Sequence, residues 1–495
     1  MQTGTVDPLP QMPGRLTGQA PARYECHRPE TTLLYELVEQ HYPPFLAALE
    51  QDGRTLPTYV QQEFAAYLKC GRLDHGFLRV RCTQCHAERL VAFSCKRRGF
   101  CPSCGARRMV ETAALLVDDV LPRQPLRQWV LSVPFPLRFL FATEPAALTA
   151  VLRIVYRAIA THLIRKAGLT QATAQAGAVT LIQRFGSALN LNIHFHLLVL
   201  DGVYVRGNDR LEFRRVPPPT KAELDQLLKT LTSRIGRHLE RRGWLTRDAE
   251  SSHLNLARED TALDSLLGHS ITYRIALGPR AGQKAFTLQS LPGRLLPEPA
   301  KPFLASADGF SLHAGVLAGA DDRKKVERLC RYIARPPVAT GRLSLTTQGQ
   351  VRYTLKTPYR DGTTHVVFEP LDFMARLAAL VPRPRAHLTR YHGVFAPHSR
   401  WRAEVTPKGR GKAMTTDLRT PAERHRAMSW AQRLKRVFGI EIETCEQCGG
   451  KVKVVASIEK PAVIAKILRH LESRSSPAGS RPPPRGPPLG DLGFL

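Results

Sequence analysis

The 495-residue sequence lacks the features of a membrane or secreted protein. It contains no uninterrupted run of about 18 apolar residues that would cross a bilayer, and no basic amphipathic stretch of the kind that anchors a protein to a lipid surface. The N-terminal residues are rich in proline and have no apolar core of a secretory signal. Internal repeats are also absent. We therefore expect a cytosolic protein with no membrane partner.

Acidic residues are scarce relative to basic ones. The chain has 72 Lys and Arg against 42 Asp and Glu, which gives a formal net charge of +30. Such a surplus is typical of proteins that bind a polyanion, and nucleic acid is the first candidate. We expect the protein to associate with the nucleoid when it is bound to DNA. The length predicts two or three folded units with linkers.

Ten cysteines are present, and they cluster. Seven lie between Cys26 and Cys104, and in the cytosol such clustering indicates metal binding rather than disulfides. Two Cys-x-x-Cys pairs, Cys82 with Cys85 and Cys101 with Cys104, are separated by residues 86–100. Each pair offers two thiolates from one tight turn, so the sequence predicts a structural Zn²⁺ site made by these four cysteines. Buried cysteines without metal are the less favoured alternative.

Further cysteines and one histidine leave the number of zinc ions open. Cys70, His75 and Cys95 lie close to the two pairs and could complete a second site. A third pair, Cys445 and Cys448, has no partner pair near it in the sequence. Its role is left open.

Basic residues surround the second cysteine pair. They would engage DNA phosphates, with Phe100 as a possible stacking surface for bases, although a solvated basic face is the competing interpretation. The candidate nucleic-acid-binding residues are Lys96, Arg97, Arg98, Arg107 and Arg108.

A His-x-His motif lies in the apolar segment from Leu191 to Leu200. If this segment is a strand, alternation places His194 and His196 on one face, while Ile193, Phe195 and their neighbours face the core. Two imidazoles side by side can bind one divalent ion. Taken alone, the motif fits a pair of ordinary buried histidines equally well.

The segment 321–335 supplies a candidate nucleophile. Its spacing predicts a helix whose apolar stripe includes Val326, Cys330 and Ile333, with Tyr332 at the edge of that stripe. A phenol oxygen could attack a phosphate polarised by a histidine-bound metal, and the product would be a 5′-phosphotyrosine and a free 3′-hydroxyl. Without the histidines, an interfacial aromatic would be the better interpretation of Tyr332.

Periodicity and punctuation predict the remaining elements. Two short helices separated by Pro43 and Pro44 are expected between Thr31 and Leu68, and a long helix from Ala106 to Val120. Strands are expected at 128–133, 178–185, 191–205, 271–276, 285–288, 309–316, 350–356 and 364–369, with helices at 145–168, 321–335 and 371–380.

Three segments together resemble one protein family. FSCKRRGFCPSCG at 93–105, IQRFGSALNLNIHFH at 182–196 and LCRYIARPP at 329–337 are similar to segments of the zinc-binding, rolling-circle insertion-sequence transposases of the HUH class, including those of common-region elements. The resemblance extends from about residue 31 to about residue 402. It implies an α+β fold, with a central antiparallel sheet flanked by helices and preceded by a small zinc-binding domain.

The resemblance also implies functional residues. His194 and His196 would hold a catalytic Mg²⁺ or Mn²⁺, and Tyr332 would attack single-stranded DNA at the ends of the element. Some relatives have a second tyrosine four residues before the first, where this chain has Arg328, so the chain resembles the one-tyrosine branch. The third metal ligand is open between Gln183, His313 and Glu327. The oligomeric state cannot be inferred.

The expected domain organisation follows. Residues 1–28 are a disordered leader, 29–120 a zinc-binding and DNA-binding domain, 125–380 the HUH catalytic domain with a helical insertion at 220–268, 381–472 a basic region, and 473–495 a disordered tail. Residues 401–440, with ten Lys and Arg against three Asp and Glu, are a second candidate DNA contact.

Two other functions remain open on sequence grounds. A rolling-circle replication initiator or a relaxase would use the same chemistry, and a non-catalytic zinc-dependent DNA-binding protein would use only the zinc module. A transposase with paired or triple carboxylates is disfavoured, because no convincing arrangement of such residues is found.

Overall fold

The computed structural model describes residues 28–208, 210–248, 252–255, 261–293, 302–407 and 443–474. The chain divides into two compact units. The larger comprises residues 31–68 and 95–421, and the smaller comprises residues 1–30, 69–94 and 422–495. The smaller unit therefore combines segments that the sequence analysis assigned to an N-terminal domain and to a basic C-terminal region. Helices and strands are numbered along the chain.

A six-stranded antiparallel sheet forms the centre of the larger unit, in the order β12-β13-β3-β6-β5-β17. Its residues alternate between two covered faces, and this explains why β6 is buried at almost every position. The strands are β3 (Leu126–Ser132), β5 (Gly177–Phe185), β6 (Leu191–Leu200), β12 (Leu304–Ala307), β13 (Phe310–Ala318) and β17 (Thr389–Gly393).

Helices cover both faces of this sheet. Helix α8 packs on one face, where Cys330 and Ile333 join a buried cluster with Leu198 and Leu181. On the other face, the rings of Phe141 in α4 and Phe195 lie 5.8 Å apart. The helices are α1 (Leu33–Gln51), α2 (Thr58–Lys69), α3 (Pro102–Leu115), α4 (Phe135–Thr143), α5 (Pro145–Lys166), α6 (Lys221–Arg241), α7 (Ala262–Ile271), α8 (Arg323–Ala334), α9 (Pro370–Leu380) and α10 (Arg402–Val405).

Smaller sheets complete the larger unit. One has the order β11-β16-β15-β14, another β4-β7-β8, and β9 pairs with β10. Their strands are β4 (Ala174–Gln175), β7 (Gly202–Arg206), β8 (Leu211–Arg215), β9 (Leu245–Arg247), β10 (Ser252–Leu254), β11 (Phe286–Gln289), β14 (Leu343–Leu345), β15 (Val351–Thr354) and β16 (Thr363–Phe368).

The smaller unit contains an antiparallel sheet in the order β18-β1-β2. Its strands are β1 (Phe77–Cys82), β2 (Glu88–Ala92) and β18 (Val452–Ile458), and helix α11 (Pro461–Arg474) contacts the short turn Leu73–His75. The mixed helix and antiparallel-sheet architecture with a cysteine-rich N-terminal region agrees with the α+β fold that the resemblance implied.

Several local expectations were wrong. Helix α1 continues through Pro43 and Pro44, because both prolines are exposed and the carbonyls that lose their amide partners can face water, while the buried Tyr42 and Phe45 hold the helix to the core. The expected strand 271–276 begins with the last residue of α7 and continues in a turn, and within it Arg274 alone forms a β-bridge, to Lys284. The expected long strand 191–205 is broken at the buried Asp201.

One described helix, α5, is long and apolar enough to cross a membrane, although its sequence contains three arginines and a lysine. Half of its most apolar window is buried inside the protein, with Val151, Val155 and Ile159 fully enclosed. A core helix passes the same test of length and composition. The helix is therefore no argument for a membrane location.

Candidate active site and metal sites

The two histidines of the His-x-His motif lie side by side on β6. His194 is 9% exposed and His196 is 5% exposed, and their ring centroids are 4.9 Å apart. The intervening Phe195 points to the opposite, fully buried face. The strand alternation predicted from the sequence therefore produces the expected pair of imidazoles on one face.

Hydrogen bonds orient both rings. Nδ1 of His194 lies 2.9 Å from the carbonyl oxygen of Asn192, and a carbonyl only accepts, so Nδ1 carries the proton and Nε2 keeps its lone pair. Nδ1 of His196 lies 2.8 Å from the side-chain amide of Gln128. As placed, Nε2 of Gln128 faces this nitrogen and donates to it. Turning the amide by 180° would present its oxygen instead, so that Nδ1 donates and Nε2 of His196 keeps its lone pair. Nε2 of His196 is buried and has no hydrogen-bond partner among the described residues.

Burial keeps both imidazoles neutral. It lowers the pKa of His194 to about 4 and holds the pKa of His196 well below its ordinary value, and the nearby Arg335 acts in the same direction on both. Two neutral imidazoles, each with its second nitrogen hydrogen-bonded, form a donor set that suits a divalent cation. The unpartnered Nε2 of His196 also fits this role, because a buried nitrogen without a partner is costly unless it binds something.

Helix α8 brings Tyr332 to the histidines. The ring centroids of Tyr332 and His196 are 6.3 Å apart, with the two rings perpendicular. The helix begins after Asp322, whose carboxylate accepts from the amide of Lys325 at 3.0 Å. Arg323 fixes its first turn by donating to the carbonyls of residues 117, 121 and 122. Tyr332 is thus positioned by a helix anchored at its start.

Two cations lie over the tyrosine ring. The guanidinium carbon of Arg335 is 4.2 Å from the ring centroid of Tyr332, and Nζ of Lys356 is 4.8 Å from it. Arg335 also donates to the carbonyl oxygen of Tyr332 at 2.8 Å. Burial and the neighbouring arginines lower the pKa of Lys356. These cations would attract a DNA phosphate to the tyrosine and the histidines.

The structure distinguishes between the three candidates for a third metal ligand. Gln183 of β5 lies directly opposite His194 in the strand register, and its amide nitrogen donates to the carbonyl of Ile333 in α8 at 2.9 Å. His313 lies on β13, two strands away from His196, and Glu327 lies more than one helical turn before Tyr332 in α8. Among the described residues, no cluster of three His, Cys, Asp or Glu ligand atoms includes the two histidines. The register favours Gln183.

A buried ion pair holds the strands around the site. The guanidinium of Arg127 in β3 donates to both carboxylate oxygens of Asp201, at 2.7 and 3.1 Å, and to the carbonyl of Ala314 in β13 at 3.0 Å. Asp201 directly follows β6. The pair therefore connects three adjacent strands of the sheet beside Gln128, the residue that contacts His196.

The cysteine pairs do not combine as predicted. Cys82 and Cys85 do not form a group of four with Cys101 and Cys104; their sulfurs instead lie within 4.8 Å of those of Cys445 and Cys448. The prediction relied on proximity in the sequence, whereas β1 and β18 bring distant segments together. The sulfurs of Cys101 and Cys104 are within 4.8 Å of that of Cys95, which the sequence analysis considered only as an additional ligand.

Comparison with family models places these features in a known context. Residues 177–402, which contain both histidines and Tyr332, match a transposase model, Y2_Tnp. Residues 37–133 match the transposase zinc-binding domain model Zn_Tnp_IS91. The chain is an IS91-type insertion-sequence transposase. Searches of curated proteins and of solved structures give no match. The predicted transposase function and the zinc-binding N-terminal region are confirmed, and the family acts on DNA.

The basic residues near the second cysteine pair have unequal environments. Arg107 pairs with Glu111 at 3.1 Å, and Arg108 donates to the carbonyls of Lys96 and Arg97. Burial lowers the pKa of Arg98. These contacts stabilise the segment before α3, so only part of its charge faces outward.

Phe100 cannot serve as a stacking surface for bases. It is fully buried, and its ring lies 4.7 Å from that of Phe64 and 5.2 Å from that of Tyr67. The apolar core of α1 and α2 takes the ring, because burying an aromatic side chain stabilises the fold more than exposing it among arginines.

A basic pocket of the transposase was missed by the sequence analysis. Its volume is about 210 Å³, and Glu63, which accepts from the amide of Gly99 at 2.7 Å, is its single acidic residue. The half-buried Arg184 of β5 lies close enough to interact with its charges. The basic residues that line the pocket are Lys96, Arg97, Arg98, Arg383 and Arg385. Residues 96–98 and 383–385 are far apart in the sequence, so only the fold reveals that their basic side chains lie together. Most of the other basic segment, 401–440, lies outside the described residues.

Proposed function

We propose that the transposase cleaves single-stranded DNA at the ends of its element by attack of Tyr332, in a rolling-circle reaction. The observation that carries the proposal is the 6.3 Å between the rings of Tyr332 and His196, beside a second buried imidazole. The Tyr332 phenol gives up its proton to water, and its oxygen forms a bond to phosphorus. The bond from phosphorus to the 3′ oxygen breaks, and that oxygen takes a proton and leaves as a 3′-hydroxyl. The DNA remains attached to the protein through a 5′-phosphotyrosine.

The protein residues around Tyr332 position the phosphate. Arg335 and Lys356 supply positive charge where the negative charge of the transition state develops. We propose that His194, His196 and Gln183 hold a Mg²⁺ or Mn²⁺ ion, which would polarise the scissile phosphate. Because the energy of the broken bond is kept in the phosphotyrosine, a 3′-hydroxyl can reverse the step and rejoin DNA without ATP.

The described helix α8 carries one tyrosine, with Arg328 at the position where a second would lie. Helix α8 of a single chain therefore supplies one nucleophilic tyrosine. We propose that the two strand transfers of a transposition cycle use Tyr332 in succession or use two copies of the chain.

A covalent-adduct assay tests the cleavage proposal. End-labelled single-stranded element termini are incubated with the full-length protein and Mn²⁺, and the products are separated in denaturant. Wild-type protein should give a labelled covalent adduct, and Tyr332→Phe should give none. Tyr391→Phe is the matched control, because Tyr391 packs against the same core as Tyr332 and should be dispensable. An undiminished adduct from Tyr332→Phe would exclude this residue as the nucleophile.

The histidines and the alternatives are tested in the same assay. Replacing His194 and His196 by Ala should abolish the adduct while leaving much of the DNA binding, because phosphate contacts lie elsewhere. A non-catalytic DNA-binding protein would bind element ends without any adduct. A replication initiator or relaxase would cleave an origin sequence in preference to element ends.

We propose that the basic pocket of Lys96–Arg98 with Arg383 and Arg385 binds DNA phosphates. Replacing Arg97 and Arg385 by Gln should reduce the salt dependence of DNA binding, with the logarithmic slope falling by about one per lost phosphate contact. Lys221→Gln is the control, because Lys221 is exposed and already paired with Asp225 in α6. Equal slopes for the pocket variants and the control would refute a role for the pocket.

A further inference from the structure

The described part of the smaller unit contains four cysteine sulfurs arranged around a common point. The Sγ atoms of Cys82 and Cys448 are 3.5 Å apart, as are those of Cys85 and Cys445, and all four lie within 4.8 Å of one another. A tetrahedral zinc with Zn–S bonds of about 2.3 Å requires sulfurs about 3.8 Å apart. A disulfide requires about 2.05 Å. The spacing fits the metal site.

The two pairs form equivalent turns. The amide of Cys82 donates to the carbonyl of Ala87 at 2.8 Å, and the amide of Cys445 donates to the carbonyl of Gly450 at 2.7 Å, so each turn is closed by residues five positions apart. The amide of Gln84 also points at the sulfur of Cys82, at 3.4 Å. Amides directed at sulfur stabilise thiolates, the form of cysteine that binds metal.

The backbone is built for close approach at this point. The amide of Thr83 donates to the carbonyl of Lys451 at 2.8 Å, which connects the first turn to the start of β18. A Cβ on Gly450 would lie 2.7 Å from Oε1 of Gln84 and 3.0 Å from the sulfur of Cys82, so a larger residue would crowd both side chains. Gly449 has a φ of 74°, a conformation that glycine adopts readily.

Hydrophobic burial alone does not explain well why residues 443–474 pack against β1. None of the residues of β18 is buried, and Val454 and Val455 are 62% and 54% exposed. In α11, Ile464 is buried, whereas Val463 and Leu471 are exposed. Small units that bury little apolar surface commonly depend on a metal for their stability.

We infer that Cys82, Cys85, Cys445 and Cys448 bind one structural zinc ion, so that the C-terminal segment supplies half of the ligands. The zinc-binding domain model ends at residue 133 and contains only the first pair. Cys85 and Cys445 are 360 positions apart in the chain. Zinc at this site closes a loop that spans the whole region matched by the transposase model, and residues 443–474 are held to β1 through it.

Zinc content of the full-length protein tests the inference. The Cys445→Ser, Cys448→Ser double variant should contain one zinc per chain fewer than wild type, and residues 443–474 should become sensitive to limited proteolysis. The control Cys330→Ser should change neither, because Cys330 lies in the core of the larger unit. If Cys82, Cys85, Cys101 and Cys104 instead shared a single ion, the double variant would keep the wild-type zinc content, and the inference would be refuted.

A second variant provides a positive signal. In Cys448→His, an imidazole replaces an exposed thiolate, so the site should still bind metal. After exchange of zinc for Co²⁺, its absorption spectrum should show one sulfur ligand replaced by nitrogen at one of the metal sites. A Co²⁺ spectrum identical to that of wild type would show that Cys448 is not a ligand, whether or not the double variant folds.

Discussion

Gln128 offers a test of the metal site that leaves the proposed ligands in place. Its side-chain amide lies 2.8 Å from Nδ1 of His196 and is buried at 4% exposure. If Nε2 of His196 binds a metal, Nδ1 must carry the proton and donate to the oxygen of this amide. In Gln128→Leu this hydrogen bond is lost. The orientation of the His196 ring is then no longer fixed, and the proton is no longer held on Nδ1.

The expected size of the effect follows from the role of such partners. Loss of a residue that orients a metal-binding histidine typically weakens metal affinity or activity about 10- to 100-fold, equivalent to about 1.4–2.8 kcal/mol. Gln128→Glu keeps an oxygen that can accept from Nδ1 and should retain most of the affinity. Thr180→Val is a matched control, because Thr180 is fully buried in the same sheet but belongs to the opposite face.

Calorimetric titration with Mn²⁺ measures the affinity of the site for the metal directly, and the dependence of the DNA cleavage rate on Mn²⁺ concentration gives an independent value of that affinity. We expect a weaker Kd in Gln128→Leu, partly recovered in Gln128→Glu and unchanged in Thr180→Val. A Gln128→Leu variant with the wild-type Kd would refute the proposed orientation of His196 and, with it, the assignment of Nε2 as a ligand atom.

Two stability predictions follow from buried charges. Asp201→Asn should lower the free energy of unfolding by about 3–5 kcal/mol, because Arg127 is left buried without a counter-charge. Glu404→Gln removes one partner of an exposed ion pair and should lower it by less than about 1 kcal/mol. Equal denaturation midpoints for the two variants would contradict this expectation. Burial and Arg390 lower the pKa of His392, which stacks on a tyrosine ring, to about 4. The neutral imidazole therefore contributes fully to stability above about pH 6.5, and this contribution is lost as the pH falls toward 4. After allowing for the partial exposure of the ring, the free energy of unfolding should fall by about 2 kcal/mol over this range. In urea titrations at pH 4 to 7, His392→Phe should remove that part of the pH dependence.

The sequence was sufficient for the elements that carry the proposed chemistry. Strand alternation places His194 and His196 on one face of β6, and the helical spacing places Tyr332 beside the apolar stripe of α8. Both patterns are local, because side-chain direction depends on the backbone within a few residues. The prolines after α8 also ended it where expected.

Long-range pairings could not be read in the same way. Cys445 and Cys448 meet Cys82 and Cys85 only because β18 pairs with β1, and no periodicity encodes which strands become neighbours. The assignment of Phe100 as a stacking surface failed for a related reason. A sequence shows the arginines beside it but not the aromatic rings of α2 that enclose it.

The contacts of the tyrosine also depended on the fold. Lys356 follows β15 and reaches the ring of Tyr332 from a different sheet, and Gln128 reaches His196 from the neighbouring strand. Gln128 could have been suspected, since it is a polar residue directly before the apolar run Trp129–Leu131 of a buried strand. Lys356 gave no such signal among the many basic residues of the chain.

The most direct test of the account is to identify the amino acid that carries the DNA. The adduct formed by wild-type protein with a single-stranded element end is digested with nuclease and protease, and the modified peptide is sequenced by mass spectrometry. We predict a nucleotide 5′-phosphate on Tyr332. A phosphate on any other residue would contradict the arrangement of nucleophile and imidazoles described above.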